Sequence, residues 1–255
     1  MVEKDILRIT DSDRTTFNDA ITDEVFLTLY LNEQELLTLL CSPDSLKELC
    51  AGFLFSAGLI HSFDDIETIS VNTSKMISRI KTKKKEMDKD IMFRRVYTSG
   101  CGKNMLFYNT LDITGNRIIQ NNTSIRSTQI QDLMKDFEKR SVSYKKTGGV
   151  HGAALCSADK IIVFHEDIGR HNAIDKIVGE ALIRKLNMKD MVVLTSGRIS
   201  SEVMYKVQKM GSAVVISRSA PTSLAVNLAE KWNVALVGFV RGRRMNVYTA
   251  SERIL

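Results

Sequence analysis

The chain has 255 residues, 44% of them hydrophobic, and two prolines, a balance that specifies one large globular domain or two modest ones and excludes intrinsic disorder. Its net charge of +6, from 36 basic and 30 acidic residues, is too mild to demand nucleic acid and favours an anionic partner. There is neither a cationic leader followed by an apolar run nor a stretch of about 18 apolar residues, so no export signal or membrane span is expected and the expected location is the cytoplasm.

Residues 1–22 are polar and mixed and read as an entry segment. Residues 25–31 alternate as a strand and 33–40 form a second apolar run. Ser42-Pro43-Asp44 then reads as a helix start, with Ser42 as N-cap and Pro43 at the first position. That helix places Leu46, Leu49, Cys50, Phe53 and Ala57 on one face, which assigns Cys50 to the core, and Gly58 helps to end it. Strands are expected over 66–71, 76–80 and 91–96, with the lysine-rich 81–90 between the last two and Lys83-Lys84-Lys85 at a solvated tip.

Four cysteines, Cys41, Cys50, Cys101 and Cys156, show neither disulfide density nor a Cys-x-x-Cys pair, which fits a reducing compartment. Cys101 lies between Gly100 and Gly102, in a setting that suits a mobile loop. Lys103 nearby favours thiolate over thiol; a loop cysteine of no consequence is the alternative at this stage.

The polar, weakly periodic stretch 110–126 is the expected domain boundary, dividing 1–125 from 126–255. Thr128-x-x-Gln131 has capping-box spacing, and Ile130, Leu133, Met134 and Phe137 continue as an amphipathic helix. Beyond it strands are expected over 151–156, 161–165, 191–195, 213–217 and 234–240, with helices reaching 186 and spanning 200–210 and 222–232. That alternation predicts a largely parallel sheet covered by helices.

The stretch from His165 to Lys176 packs seven ionisable side chains into twelve residues, at the turn from a strand into a helix. Asp167 is the expected N-cap, and helical spacing turns Arg170 and His171 inward at the start of the helix. In a parallel sheet the carboxyl ends of the strands share one edge, where ligands bind. Here that edge collects the Glu166–His171 cluster, Thr195-Ser196-Gly197-Arg198, Ser217-Arg218-Ser219-Ala220-Pro221-Thr222 and Phe239-Val240-Arg241-Gly242-Arg243-Arg244. Hydroxyls, glycines and guanidinium forks at helix starts suit phosphate, so a pocket for a large phosphate-bearing ligand is expected. Neither GxGxxG nor GxxxxGK[ST] occurs. A zinc set of His151, His165, His171 and a cysteine lacks the spacings of zinc deaminases, so no metal is expected.

Several of these segments resemble a known family. Gly148-Gly149-Val150-His151-Gly152-Ala153-Ala154-Leu155, Glu166-Asp167-Ile168-Gly169-Arg170-His171-Asn172-Ala173-Ile174-Asp175-Lys176, Ser196-Gly197-Arg198-Ile199-Ser200-Ser201-Glu202, Ser219-Ala220-Pro221-Thr222-Ser223-Leu224-Ala225 and Gly238-Phe239-Val240-Arg241-Gly242 are similar to the formate dehydrogenase accessory sulfurtransferases, the FdhD family. The likeness extends to residues 43–60 and the Cys101 loop. It implies an α/β fold, with a smaller N-terminal α+β domain and a cytidine-deaminase-like three-layer α/β/α domain, stripped of zinc ligands, whose mixed sheet is largely parallel. It further implies a homodimer that accepts persulfide sulfur from a cysteine desulfurase and passes it to molybdenum bis(molybdopterin guanine dinucleotide), held as bound substrate, for formate dehydrogenase. Position by position, Cys101 corresponds to the persulfide carrier and residues 239–244 to the guanine-dinucleotide contact. His171, Arg198, Arg218, Ser219 and Thr222 line the same expected edge.

The sequence departs from the family in one place: many relatives carry Cys-x-x-Cys in the loop, whereas Thr98 and Asn104 stand where a partner of Cys101 could be. A lone cysteine still carries a persulfide but forms no internal disulfide. A cofactor-binding chaperone without chemistry of its own is the second reading, and a zinc-dependent nucleoside deaminase the third.

Overall fold

Alternating apolar residues build the first large sheet. In β3 (Val25–Leu31) the side chains of Leu27, Leu29 and Leu31 turn into the core, while Phe26, Thr28 and Tyr30 face outward. β4 (Gln34–Cys41) pairs antiparallel with β3, β6 (Ile77–Thr82) pairs parallel on its other side, and β5 (Ile66–Asn72) closes the order β4-β3-β6-β5. The computed structural model describes residues 1–83, 95–97, 105–107 and 118–255, the two short segments for their backbone alone. Among the described residues no helix is long and apolar enough to cross a membrane.

Residues 1–22, read only as an entry segment, form a hairpin of β1 (Val2–Ile9) and β2 (Arg14–Ile21). Ile6 stands opposite Phe17 and Val2 opposite Ile21, but Leu7 and Ile9 face Thr16 and Arg14, and interleaved charges hide the period of two. β7 (Arg95–Tyr97) and β8 (Met105–Phe107) pair antiparallel, so the strand expected over 91–96 is seen only in its last two residues.

α1 (Leu46–Ser56) begins later than expected, with Ser45 in the left-handed region as N-cap. Ser42 does something else: its N–H donates to Asp167 and its hydroxyl accepts the Ile168 N–H, both at 3.1 Å. α2 (Ser127–Arg140) is capped by Gln129, not Gln131, through an Arg126 N–H bond of 2.9 Å. α3 (Val142–Thr147) follows directly.

The second sheet has the order β10-β9-β11-β12-β13-β14, from β9 (His151–Cys156), β10 (Ile161–Asp167), β11 (Val192–Thr195), β12 (Val214–Ser217), β13 (Ala235–Arg241) and β14 (Arg244–Val247). The expected largely parallel sheet is corrected here: β11/β12 and β12/β13 are parallel, and the other three pairings are antiparallel. Strand–helix alternation fixes how strands are connected, but a local hairpin such as β9–β10 reverses a neighbour without any helix. Because β9 opposes both β10 and β11, strands β10, β11, β12 and β13 still run the same way. Their carboxyl ends share one edge, and β9 begins there at His151.

Helices cover both faces. On one, Phe164 of β10 meets Phe137 of α2 edge-on at 5.2 Å. On the other, His165 of β10 bonds Glu180 of α4 (Arg170–Ile183) at 2.7 Å. α5 (Ser201–Met210) and α6 (Ser223–Trp232) make the remaining crossovers.

α1 crosses α4 at two glycines. A Cβ on Gly52 would stand 1.8 Å from the Asp175 carbonyl oxygen, and one on Gly179 would stand 1.8 Å from that of Glu48. Only glycine lets the backbones approach so closely, and the contact joins both sheets in one apolar core that includes Leu49, Cys50, Ile174 and Val178.

Candidate functional site

The edge is anchored by a buried charge cluster below it. Asp167, fully buried at the end of β10, lies 2.8 Å from the Lys176 ammonium, which is itself fully buried and reaches Asp44 and the Glu166 carbonyl at 3.3 Å. Asp167 also accepts the Gly169 N–H at 2.8 Å and the Asn172 amide at 2.9 Å. The expected N-cap role is corrected: Gly169 is the N-cap of α4, and Asp167 is committed one step earlier, to bracing the strand–helix turn. Removing one member of such a buried pair costs about 3–5 kcal/mol because the other charge is left uncompensated.

The other charges of the stretch are internal as well. The Glu166 carboxylate accepts the N–H groups of Ser143 and Tyr144 at 2.9 Å each and so caps α3. Asp175 pairs with Lys206 of α5 and accepts the Ser56 hydroxyl at 2.6 Å. Arg170 and His171 are what the cluster presents at the edge.

Serines and threonines lace the following loops. Ser196 Oγ accepts the Gly152 N–H at 3.0 Å and stands 3.4 Å from His151 Nδ1. Thr195 Oγ1 accepts the Gly197 N–H, and Ser217 Oγ donates to the Gly197 carbonyl at 2.6 Å while accepting the Ser219 N–H at 2.9 Å. Gly197 lies under Arg170: a Cβ there would meet the arginine's Cβ at 2.9 Å. The Ile199 N–H bonds to the Ala220 carbonyl, that of Thr222 to Ile199, and that of Phe239 to Ser219, which ties the loops after β11 and β12 to β13. The hydroxyls read from the sequence as ligand groups thus largely brace loops, and Thr222 also caps α6 through the Ala225 N–H.

The outward groups are cationic. Arg198 is exposed, and Arg218 is partly exposed with Nε 3.4 Å from Glu138. Arg241 and Arg244 flank a two-residue hairpin turn of Gly242 and Arg243, and all four are exposed. Gly242 has φ +58, a left-handed conformation glycine adopts freely. Phe239 is half-buried with φ +53, and the Arg241 guanidinium lies 6.0 Å from its ring centroid. Val240 is fully buried, so its side chain belongs to the core.

His171 Nε2 lies 2.7 Å from the Glu202 carboxylate, and burial holds the imidazole below its ordinary pKa despite that bond, with Lys206 and Arg170 adding to the depression. Burial would raise the Glu202 carboxyl, but the bond from His171 and the nearby Arg170 and Lys206 outweigh it and hold Glu202 low. His151 is depressed by burial, then by Arg170, His171 and Arg198. Lys206 was not named from the sequence, and Glu202 only as the end of a family-like segment. Glu202, in the first turn of α5, reads there as a helix-start acid, and only the fold sets it against His171.

Cys41, Cys50 and Cys156 are buried, and desolvation pushes each thiol up to about 12. Cys101, Lys103, Thr98 and Asn104 lie outside the described residues, as do Lys84 and Lys85. Among the described residues no three His, Cys, Asp or Glu side chains converge to hold a metal ion.

Comparison with known proteins gives a consistent set of relatives. Residues 22–255 match the FdhD/NarQ family. The chain is 42% identical over 252 residues to the sulfur carrier protein FdhD of Bacillus licheniformis, covering 98% of this chain and 95% of that protein. It is 41% identical over 238 residues to the sulfur carrier protein FdhD of Listeria monocytogenes serotype 4b, covering 92% and 91%. Among solved structures it resembles one described as a formate dehydrogenase accessory protein from Desulfotalea psychrophila, with TM-score 0.80, 26% identity and coverage of 100% and 99%.

Proposed function

The chain belongs to the FdhD/NarQ family, and from that premise we propose that it is a sulfur carrier that passes persulfide sulfur from a cysteine desulfurase to a molybdenum cofactor during formate dehydrogenase maturation. The observation that carries this reading is the 42% identity, over 98% of the chain, to a protein named as a sulfur carrier.

The chemistry needs a thiolate. Three of the four thiols, Cys41, Cys50 and Cys156, are buried with pKa near 12 and stay protonated at neutral pH, so the remaining one, Cys101, is the assigned nucleophile. Its thiolate attacks the outer sulfur of the desulfurase persulfide. The donor's S–S bond breaks, a Cys101 persulfide forms, and the donor cysteine leaves as thiolate, so no external oxidant or reductant is used.

The acceptor, molybdenum bis(molybdopterin guanine dinucleotide), is a substrate rich in phosphate. It is assigned to the edge through His171, Arg198, Arg218, Ser219, Thr222 and the segment Phe239, Val240, Arg241, Gly242, Arg243, Arg244. Each charge-assisted contact contributes about 1.5–3 kcal/mol, so a few exposed arginines hold such a polyanion. The assembly is read as a cytoplasmic homodimer whose part from 126 to 255 is cytidine-deaminase-like and whose part from 1 to 125 carries the Cys101 loop.

Intact mass after incubation with a cysteine desulfurase and cysteine tests the assignment. A gain of about 32 Da, removed by reductant and lost in Cys101→Ser, is expected. No gain, with cofactor binding and dehydrogenase maturation intact in Cys101→Ser, would replace the carrier by a cofactor chaperone.

A further inference from the structure

Where β9 starts and β10 and β11 end, the fold gathers four basic side chains. His151 is brought within electrostatic range of Arg170, His171 and Arg198, and Arg170 lies across Gly197. Glu202, from α5, stands against His171 and acts on Arg170 as well, and Asp167 reaches His151 from β10 but is already committed to Lys176. Lys206, also from α5, adds a further positive charge toward His171.

The geometry at His171 is specific. Nε2 stands 2.7 Å from the Glu202 carboxylate, which favours the tautomer with its proton on Nε2, and in that tautomer Nδ1 is an acceptor. Both ring nitrogens are buried; Nε2 has the 2.7 Å ion-pair contact with Glu202 but no well-directed hydrogen bond, and Nδ1 has no hydrogen-bond partner among the described residues, as is true of Ser200 Oγ at the N-cap of α5. Protonation turns Nδ1 into a donor, and an anion oxygen then completes it, with Ser200 Oγ able to donate to the same group.

We propose that this corner of the edge is a proton-linked anion seat, in which His151 and His171 together take up protons from water as a phosphate- or sulfate-like dianion settles beside Arg170 and Arg198, and release them when it leaves. No covalent bond changes. The inference rests on reading the edge as the seat of a phosphate-bearing substrate, and it adds a consequence: binding there is tighter at lower pH and is reversed by local deprotonation. The resting depression of both imidazoles is the state from which uptake starts, since an incoming dianion replaces repulsion by attraction.

Inorganic sulfate is the probe, because its charge is constant across the pH range used. Affinity is measured by calorimetry between about pH 8 and about pH 6, with proton uptake followed in lightly buffered solution. Affinity is expected to rise as pH falls, approaching about tenfold per pH unit for each proton taken up. In His151→Gln with His171→Gln the rise should vanish, so that the variant's affinity at about pH 6 matches its own affinity at about pH 8. Because His171 is nearly buried, His151→Gln alone is the second variant and should remove part of the slope. Sulfate binding that is flat with pH, or a slope that survives both substitutions, overturns the proton linkage alone. Failure of sulfate to bind at any pH overturns the anionic reading of the edge as well.

Discussion

Gly179→Ala tests whether the α1–α4 crossing positions the edge, because two effects of known size oppose each other there. In a helix interior alanine is favoured over glycine by about 1 kcal/mol, so propensity alone predicts a more stable protein. The structure predicts the reverse. The new Cβ would stand 1.8 Å from the Glu48 carbonyl oxygen and 2.6 Å from its carbon, both backbone atoms that no rotamer change can move. To reach the 3.0 Å that real Cβ contacts require, the helices must part by more than an ångström, loosening Leu49, Cys50, Ile174 and Val178, all 0% exposed. Overpacking of this kind costs about 3 kcal/mol, at the upper end of the usual range because backbone must move. The net loss is about 2 kcal/mol, or about 4–8 °C in Tm for a chain of this size. Gly52→Ala, 1.8 Å from the Asp175 carbonyl, should lose a similar amount. The double variant should lose less than the sum, since helices already parted for one methyl accommodate the second. Urea denaturation of all three settles it. Either single variant as stable as the parent, or strict additivity, would refute the shared close approach.

Three further outcomes are expected. In the native protein a thiol reagent should titrate one cysteine, and Cys101→Ser should remove that reactivity until denaturant exposes Cys41, Cys50 and Cys156, whose thiols are held near pKa 12. Glu166→Ala should cost about 0.5–2 kcal/mol through loss of the α3 cap, measured by urea midpoint, with sulfate affinity unchanged; a tenfold loss of affinity would place Glu166 in the site instead. Stability should fall as pH drops below 6.5, because His151 and His171 bind protons more weakly folded than unfolded, and fall further as Glu202 is protonated below its ordinary 4.5. Urea midpoints at about pH 7 and about pH 5 check this, and His151→Gln should flatten the upper part of the decline.

Much of the second sheet is legible in the sequence because strands and helices there carry clean periods; the helix expected over 222–232, for instance, spans Ser223–Trp232 with Thr222 as its N-cap. The strand-end rule likewise finds Arg198, Arg218 and the 241–244 turn without a structure. What the sequence does not disclose is long-range commitment. Asp167 looks like a helix cap until Lys176 takes it, and Ser42 looks like one until it is seen holding the Asp167 turn from 125 residues away. Gly52 and Gly179 read as defects within helices, since the carbonyls they admit belong to another element. The N-terminal hairpin escapes for a different reason: its apolar residues are mostly exposed and never form a core-facing stripe.

These commitments explain why so charged a stretch exposes so little charge. Lys176 and Asp167 neutralise each other below the turn, Asp175 ties α4 to α5 through Lys206, and Glu166 spends its carboxylate on α3. Each pairing fixes the start of α4 from a different direction, and together they hold Arg170 and His171 against the loop at Gly197. A surface arginine would lose side-chain entropy on meeting an anion, whereas Arg170, packed across Gly197, has lost much of it on folding. The exposed Arg198 and the 241–244 turn lack that preorganisation. Contact with a polyanion should therefore be strongest at the buried corner and weaken toward the β13–β14 turn, so that removing Arg170 reduces sulfate affinity more than removing Arg241 does.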